Sequence, residues 1–168
     1  FKDAFIKILK ARSLNGITYN NSNADVRGTY SAVKDGIKKS AVSIVLLTGD
    51  DEGRCRKPYH IPADRKNLSE IKFTPQPRMN VVFEAGYSFA CRNDKNVVLV
   101  SVNNIRLFSD IDGINRIIVQ TNGRGEILKS SESAMKKALL ENLENCGCVL
   151  PKNAFEIIEG IPLPDRVR

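Results

Sequence analysis

The residue types best suited to chemistry gather between Arg78 and Tyr87. The run Arg78-Met79-Asn80-Val81-Val82-Phe83-Glu84-Ala85-Gly86-Tyr87 contains a single carboxylate, and Glu84 is the only charge from Asn80 through Cys91. Asn80 and Glu84 are four apart, so on a helix they share one face close to its N-terminus, with Tyr87 and Ser88 beside it. Val81, Val82, Ala85 and Phe89 then point elsewhere, into a core. A glutamate on a solvated face is the ordinary alternative, and a helix N-terminus favours a carboxylate with or without a function. Ordinary solvated faces carry more charges than this one does.

Two acidic stretches follow the ends of expected strands: Thr48-Gly49-Asp50-Asp51-Glu52-Gly53 and Ser109-Asp110-Ile111-Asp112-Gly113. In open α/β sheets, ligands bind beyond the carboxyl ends of the strands. Acidic side chains there could hold ribose hydroxyls or a cation, although Asp-Asp-Glu-Gly is also a common turn. Other devices are missing. The sequence has no glycine-rich phosphate loop, no His-Glu-x-x-His and no Gly-x-Ser-x-Gly. The single histidine, His60, stands between prolines in a polar stretch, which gives it little support as a general base. Cys146 and Cys148 are separated by one glycine, a poor spacing for zinc, and Cys91 is expected in a buried helix. The cysteines Cys55, Cys91, Cys146 and Cys148 read as reduced cytosolic thiols, and no metal is expected.

The elements that must position these residues follow from periodicity. Phe1, Ala4, Phe5, Ile8 and Leu9 have helical spacing, ended by Asn15-Gly16. Gly16 to Tyr19 allows a short strand, and Asn20 to Arg27 reads as a loop. Tyr30, Val33 and Ile37 predict a second helix with Lys38 and Lys39 near its C-terminal dipole. Ala41 to Thr48 is a β-branched apolar run, the pattern of a strand buried on both faces of a parallel sheet. Gly49 to Pro77 is a long polar, proline-containing connection of the kind that is often functional. A helix is expected over Met79 to Arg92, and a second buried strand over Asn96 to Val102. A weaker strand spans Ile114 to Gln120. Ser131 is placed to cap a helix reaching about Glu144, with Met135, Ala138, Leu139 and Leu143 inward.

Strands alternating with helices predict an α/β fold, a doubly wound parallel sheet flanked by helices. Its first central strand is expected upstream of the opening helix. The chain has 168 residues and 42% hydrophobic content, which suits one domain. Residues 1–148 are assigned to that domain and 149–168 to a C-terminal tail or linker. No apolar run approaches the ~20 residues of a membrane span, and no signal peptide is visible, so a cytoplasmic location is expected. The net charge of +7 is scattered and lacks a nucleic-acid motif. Solvated surface charge is the favoured reading, ahead of a role in binding nucleotide phosphates and of nucleic acid.

Ser43 to Gly53, Pro77 to Tyr87 and Phe108 to Ile114, in that order, resemble the bacterial TIR-like, predicted nucleotide-binding domain. That domain occurs in antiphage effectors switched on by cyclic nucleotides, including TIR–STING fusions and Pycsar-type effectors. The resemblance covers about residues 30 to 145. It departs from the family at the first strand and in the length of the segment between Gly53 and Arg78. The resemblance implies a TIR/flavodoxin-like fold and hydrolysis of NAD⁺ as substrate, with no further cofactor. It places Glu84 at the catalytic glutamate. Arg78 and Asn80 match flanking positions, and Asp50, Asp51, Ser109 and Asp110 match loops that shape the site. It also implies self-association of TIR domains and a fused or neighbouring cyclic-nucleotide sensor. Two other readings remain open at this point: a nucleoside deoxyribosyltransferase-like enzyme, and a TIR module that only assembles.

One carboxylate suffices for this chemistry. The nicotinamide of NAD⁺ is already a cationic leaving group, so no acid need protonate it. Cleavage of its bond to ribose develops oxocarbenium character, which a well-placed carboxylate stabilises.

Overall fold

The computed structural model describes residues 6, 7, 9, 28–57, 71–92, 94–108, 111, 114, 116–150 and 152–154. Ile6, Lys7 and Leu9 are helical, as the opening spacing predicts. The expected helix end at Asn15-Gly16, the strand at Gly16 to Tyr19 and the loop to Arg27 lie outside the described residues, as does His60.

In chain order the elements are α1 (Gly28–Lys39), β1 (Ser43–Leu47), β2 (Asp51–Gly53), β3 (Thr74–Gln76) and α2 (Met79–Cys91). A 3₁₀ turn, Asp94–Asn96, leads into β4 (Val97–Val102), followed by β5 (Arg116–Val119) and α3 (Lys129–Asn145). Strands β1, β4 and β5 form a parallel sheet in the order β1-β4-β5. Register runs across it from Val45 to Leu99 and from Leu99 to Arg116. The fold is therefore α/β with helices flanking a parallel sheet.

Strand β4 lies in the centre, and every one of its residues is buried, which explains its unbroken apolar sequence. Its side chains alternate between two cores. Val98, Val100 and Val102 join Ile117, Val119, Met135, Leu139 and Leu143 on the α3 side. Val97 and Leu99 join Val45, Leu47 and Ala85 on the α2 side. Both cores rest on burial of β-branched and leucine side chains, each contributing roughly 1.5–3 kcal/mol.

Arg92, at the end of α2, fastens the helices to the sheet. Its guanidinium donates to the Ile37 carbonyl, to Ser40 Oγ at 3.0 Å and to the Ala41 carbonyl at 3.2 Å. The C-terminal ends of α1 and α2 thus meet at the start of β1. Helix α2 runs back along β1, from Arg78 near the residues that follow that strand to Arg92 near its start.

Three local expectations are corrected. The acidic stretch Asp51–Gly53 is not a turn: it pairs antiparallel with Thr74–Gln76. Ser131 does not cap α3. The helix starts earlier, with Leu128 at the N-cap, and Ser131 is buried inside it. There its Oγ accepts the Gln120 backbone N–H at 2.7 Å. That bond ties the end of β5 to α3, a use for the hydroxyl that needs the sheet beside it. Cys91 is exposed, because it falls on the face of α2 turned away from the strands.

Leu150 and Ala154 pack against the α3-side core, so the first residues beyond 148 share that core. A groove of about 420 Å³ runs between β5 and α3, lined by Arg116, Met135, Ala138 and Glu141 among others. It lies on the sheet face opposite α2 and contains none of the candidate residues. Among the described residues, no helix is long and apolar enough to cross a membrane.

Candidate functional site

The carboxyl edge of the sheet is built by a small ribbon. After β1 the chain runs through Thr48 and Gly49 into β2, and β3 returns beside it to deliver Pro77 and Arg78 to the start of α2. Asp51 pairs with Gln76, which brings the acidic stretch against the residue preceding the helix. The Arg78 guanidinium lies 3.7 Å from the Asp51 carboxylate and 4.0 Å from that of Asp50. Thr48 Oγ1 donates to Asp50 at 3.0 Å and steadies the pair. These ion pairs are substantially exposed and contribute little to stability, ~0–1 kcal/mol. Their consequence is positional: a cation is held beside two carboxylates at the ligand edge.

The loop after β4 supports the ribbon. The Arg106 backbone N–H donates to the Pro75 carbonyl at 2.8 Å, and its guanidinium donates to Gln76 Oε1 at 3.0 Å. Gly49 lies so close that a Cβ there would stand 2.8 Å from Pro75 Cβ and 3.0 Å from Ile105 Cγ2. The proline ring cannot swing aside. Gly49→Ala is therefore expected to cost about 1–3 kcal/mol through overpacking, read as a lower urea midpoint. An unchanged midpoint would show that the ribbon shifts freely.

Glu84 sits one turn into α2 and is half buried. On the helix surface it lies at the border between the core face, marked by Ala85 and Ser88, and the solvent face. The Ser88 hydroxyl donates to the Glu84 carbonyl at 2.8 Å, so the neighbouring polar group is spent on backbone. Burial raises the Glu84 carboxyl above its ordinary value of 4.5. Asn80 is exposed one turn before it, on the same face. Tyr87 is half buried, and its phenol is pushed up to about 12, first by its hydrogen bond with Cys91.

The raised carboxyl has a consequence for stability. The folded state holds the Glu84 proton more tightly than the unfolded chain does, so this group's contribution is complete below the unfolded pKa. It is lost as pH rises through the folded pKa. Glu84→Gln should then melt higher than the wild type at pH 7, with the difference vanishing toward pH 4. A difference independent of pH would refute the raised value.

The structure brings Asp50, Asp51 and Arg78 together beyond the end of β1, with Asn80 and Glu84 following in the first two turns of α2. Ser109 and Asp110 lie outside the described residues. Their neighbours Phe108 and Ile111 pack in the α2-side core, and the Ile111 N–H donates to the Phe108 carbonyl at 3.3 Å. Sequence reasoning missed Gly49 and Arg106. Their roles depend on Pro75 and Gln76, distant in sequence, and no local pattern marks them. Among the described residues, no cluster of three or more His, Cys, Asp or Glu is set to hold a metal ion.

A family model described as CAP12/Pycsar effector protein, TIR domain, matches residues 1–121. No curated protein matches the chain.

Proposed function

Since the chain belongs to the CAP12/Pycsar effector TIR-domain family, and is thus a TIR-type effector domain of antiphage defence, we propose that it hydrolyses NAD⁺ at Glu84. The observation that carries this reading is the placement of Glu84: a lone half-buried carboxylate in the second turn of α2, the helix whose N-terminus holds Arg78 against Asp50 and Asp51.

In this reading the bond between ribose C1′ and the nicotinamide nitrogen breaks, and its electron pair leaves with neutral nicotinamide. Glu84 stabilises the oxocarbenium character at C1′ and holds the ribose hydroxyls. Burial keeps its charge from being screened by water. Asn80, one turn before it, orients the same sugar. Arg78 and the first turn of α2, which has no side-chain cap, offer positive charge to the diphosphate. Asp50 and Asp51 hold Arg78 in place. Water attacking C1′ gives ADP-ribose and releases a proton, whereas attack by the adenine of the same molecule gives the cyclic product.

Glu84 is only half buried, so a second TIR domain is inferred to close the site over bound NAD⁺. Assembly then acts as the switch, driven by a fused or neighbouring cyclic-nucleotide sensor. The test is nicotinamide release from the purified domain, dispersed and then artificially clustered. Release that rises on clustering supports the reading. Base exchange between nucleosides, without net hydrolysis of NAD⁺, would point to deoxyribosyltransferase chemistry. Neither activity from a demonstrably assembled domain would point to an assembly module.

A further inference from the structure

Three large apolar side chains stand out in the open beside the Glu84 face. Tyr30 on α1 is 55% exposed, and Phe83 and Met79 on α2 are 57% and 70% exposed. The rings of Tyr30 and Phe83 meet at 5.9 Å with a tilt of 52°, forming a corner. Met79 lies one turn before Phe83 on the same stripe of α2. On the helix surface Asn80 and Tyr87 fill the sector between that stripe and Glu84, so corner and carboxylate belong to one continuous face. Arg78 pairs with Asp50 and Asp51 beyond the end of β1, which puts the first turn of α2 at the carboxyl edge of the sheet, and the Tyr30–Phe83 contact brings the first turn of α1 beside α2. The corner is thus at the ligand edge and not on the far side of the molecule.

We propose that Phe83, with Tyr30 and Met79 around it, is the seat for one planar heteroaromatic ring of the dinucleotide substrate. The proposal rests on the NAD⁺ reading of Glu84 and adds the residues that grip a base. Exposed apolar side chains in contact mark interaction surfaces, and aromatic faces bind heterocycles by stacking whatever the base. Two rings and one thioether match the footprint of a single heterocycle, and they share the face of α2 that carries Glu84. The flanks are polar: the Lys34 ammonium lies 5.6 Å from the Tyr30 ring centre, and Asn80 borders Met79 and Phe83. Lys34 covers part of Tyr30, which leaves Phe83 as the open stacking surface.

The experiment compares wild type, Phe83→Ala and Phe83→Tyr under forced clustering, measuring kcat and KM for nicotinamide release. NAD⁺ affinity is measured in parallel, by calorimetry, in a Glu84→Gln background where turnover is silenced. Phe83→Ala is expected to raise KM and the dissociation constant about tenfold with kcat within about twofold, and Phe83→Tyr to restore both. An unchanged KM and dissociation constant would overturn the seat. A Phe83→Ala defect that vanishes when protein concentration is raised would also overturn it, identifying a contact between copies instead. Wild type that binds NAD⁺ without cleaving it would sink the hydrolase reading, and the affinities would still decide the seat. Wild type that neither binds nor cleaves NAD⁺ would end both.

Discussion

Glu84→Gln is expected to lower nicotinamide release by the clustered domain by about a hundredfold to a thousandfold, the usual loss when one group stabilising transition-state charge is removed. The substitution is close to isosteric. The raised carboxyl, attributable to burial alone, means that neutralising the group relieves desolvation and strands no partner. The fold should therefore survive, and circular dichroism and melting should show it. Glu84→Asp keeps the charge but withdraws it by one methylene. Displacing a catalytic group by about 1 Å costs on the order of a hundredfold, so the aspartate variant should also be severely impaired. Turnover by Glu84→Gln within threefold of wild type would dismiss Glu84 as the catalytic group.

The second large effect is on stability. Leu99 is fully buried at the centre of β4 and shares a cluster with Leu47, Val45 and Ala85. Leu99→Ala should cost about 2–5 kcal/mol, combining lost transfer energy with the cavity left behind. For a chain of this length that is a fall of roughly 5–15 °C in melting temperature. Ile118→Ala on β5 is the control: that residue is already 42% exposed, and the expected change is smaller, about 1–1.5 kcal/mol. Equal effects at the two positions would mean that β4 is not the centre of the core. Because Ala85 of the same cluster is the neighbour of Glu84, Leu99→Ala should also weaken turnover at temperatures well below its melting point.

The parts of this architecture that are legible in sequence are those set by local periodicity. The unbroken runs of β1 and β4 announce strands buried on both faces, and the Met79–Cys91 spacing announces α2 with Glu84 at its border. What was not legible depends on partners far along the chain. Asp51–Gly53 and Thr74–Gln76 are three-residue strands of polar residues, glycine and proline. Neither has an apolar alternation, and only their mutual pairing makes them strands. Ser131 has the composition of a cap, yet its hydroxyl answers a backbone N–H at the end of β5. Gly49 looks like any turn glycine until Pro75 and Ile105 are placed against it. At the candidate site, Glu84 and Asn80 could be paired by helical arithmetic alone. The meeting of Arg78 with Asp50 and Asp51 required the ribbon.

That ribbon also makes the intervening chain exchangeable. The excursion over residues 54–73 leaves and re-enters through the Gly53–Thr74 pair, where the Thr74 hydroxyl donates to the Gly53 carbonyl at 3.3 Å. Once both stems are clamped, a longer chain between them adds little closure cost. Loop-closure entropy grows only by about 0.6 kcal/mol for each doubling of length. Related chains can therefore carry grafts of different size here, and a reporter cassette inserted between the stems should leave Arg78 and Glu84 in register.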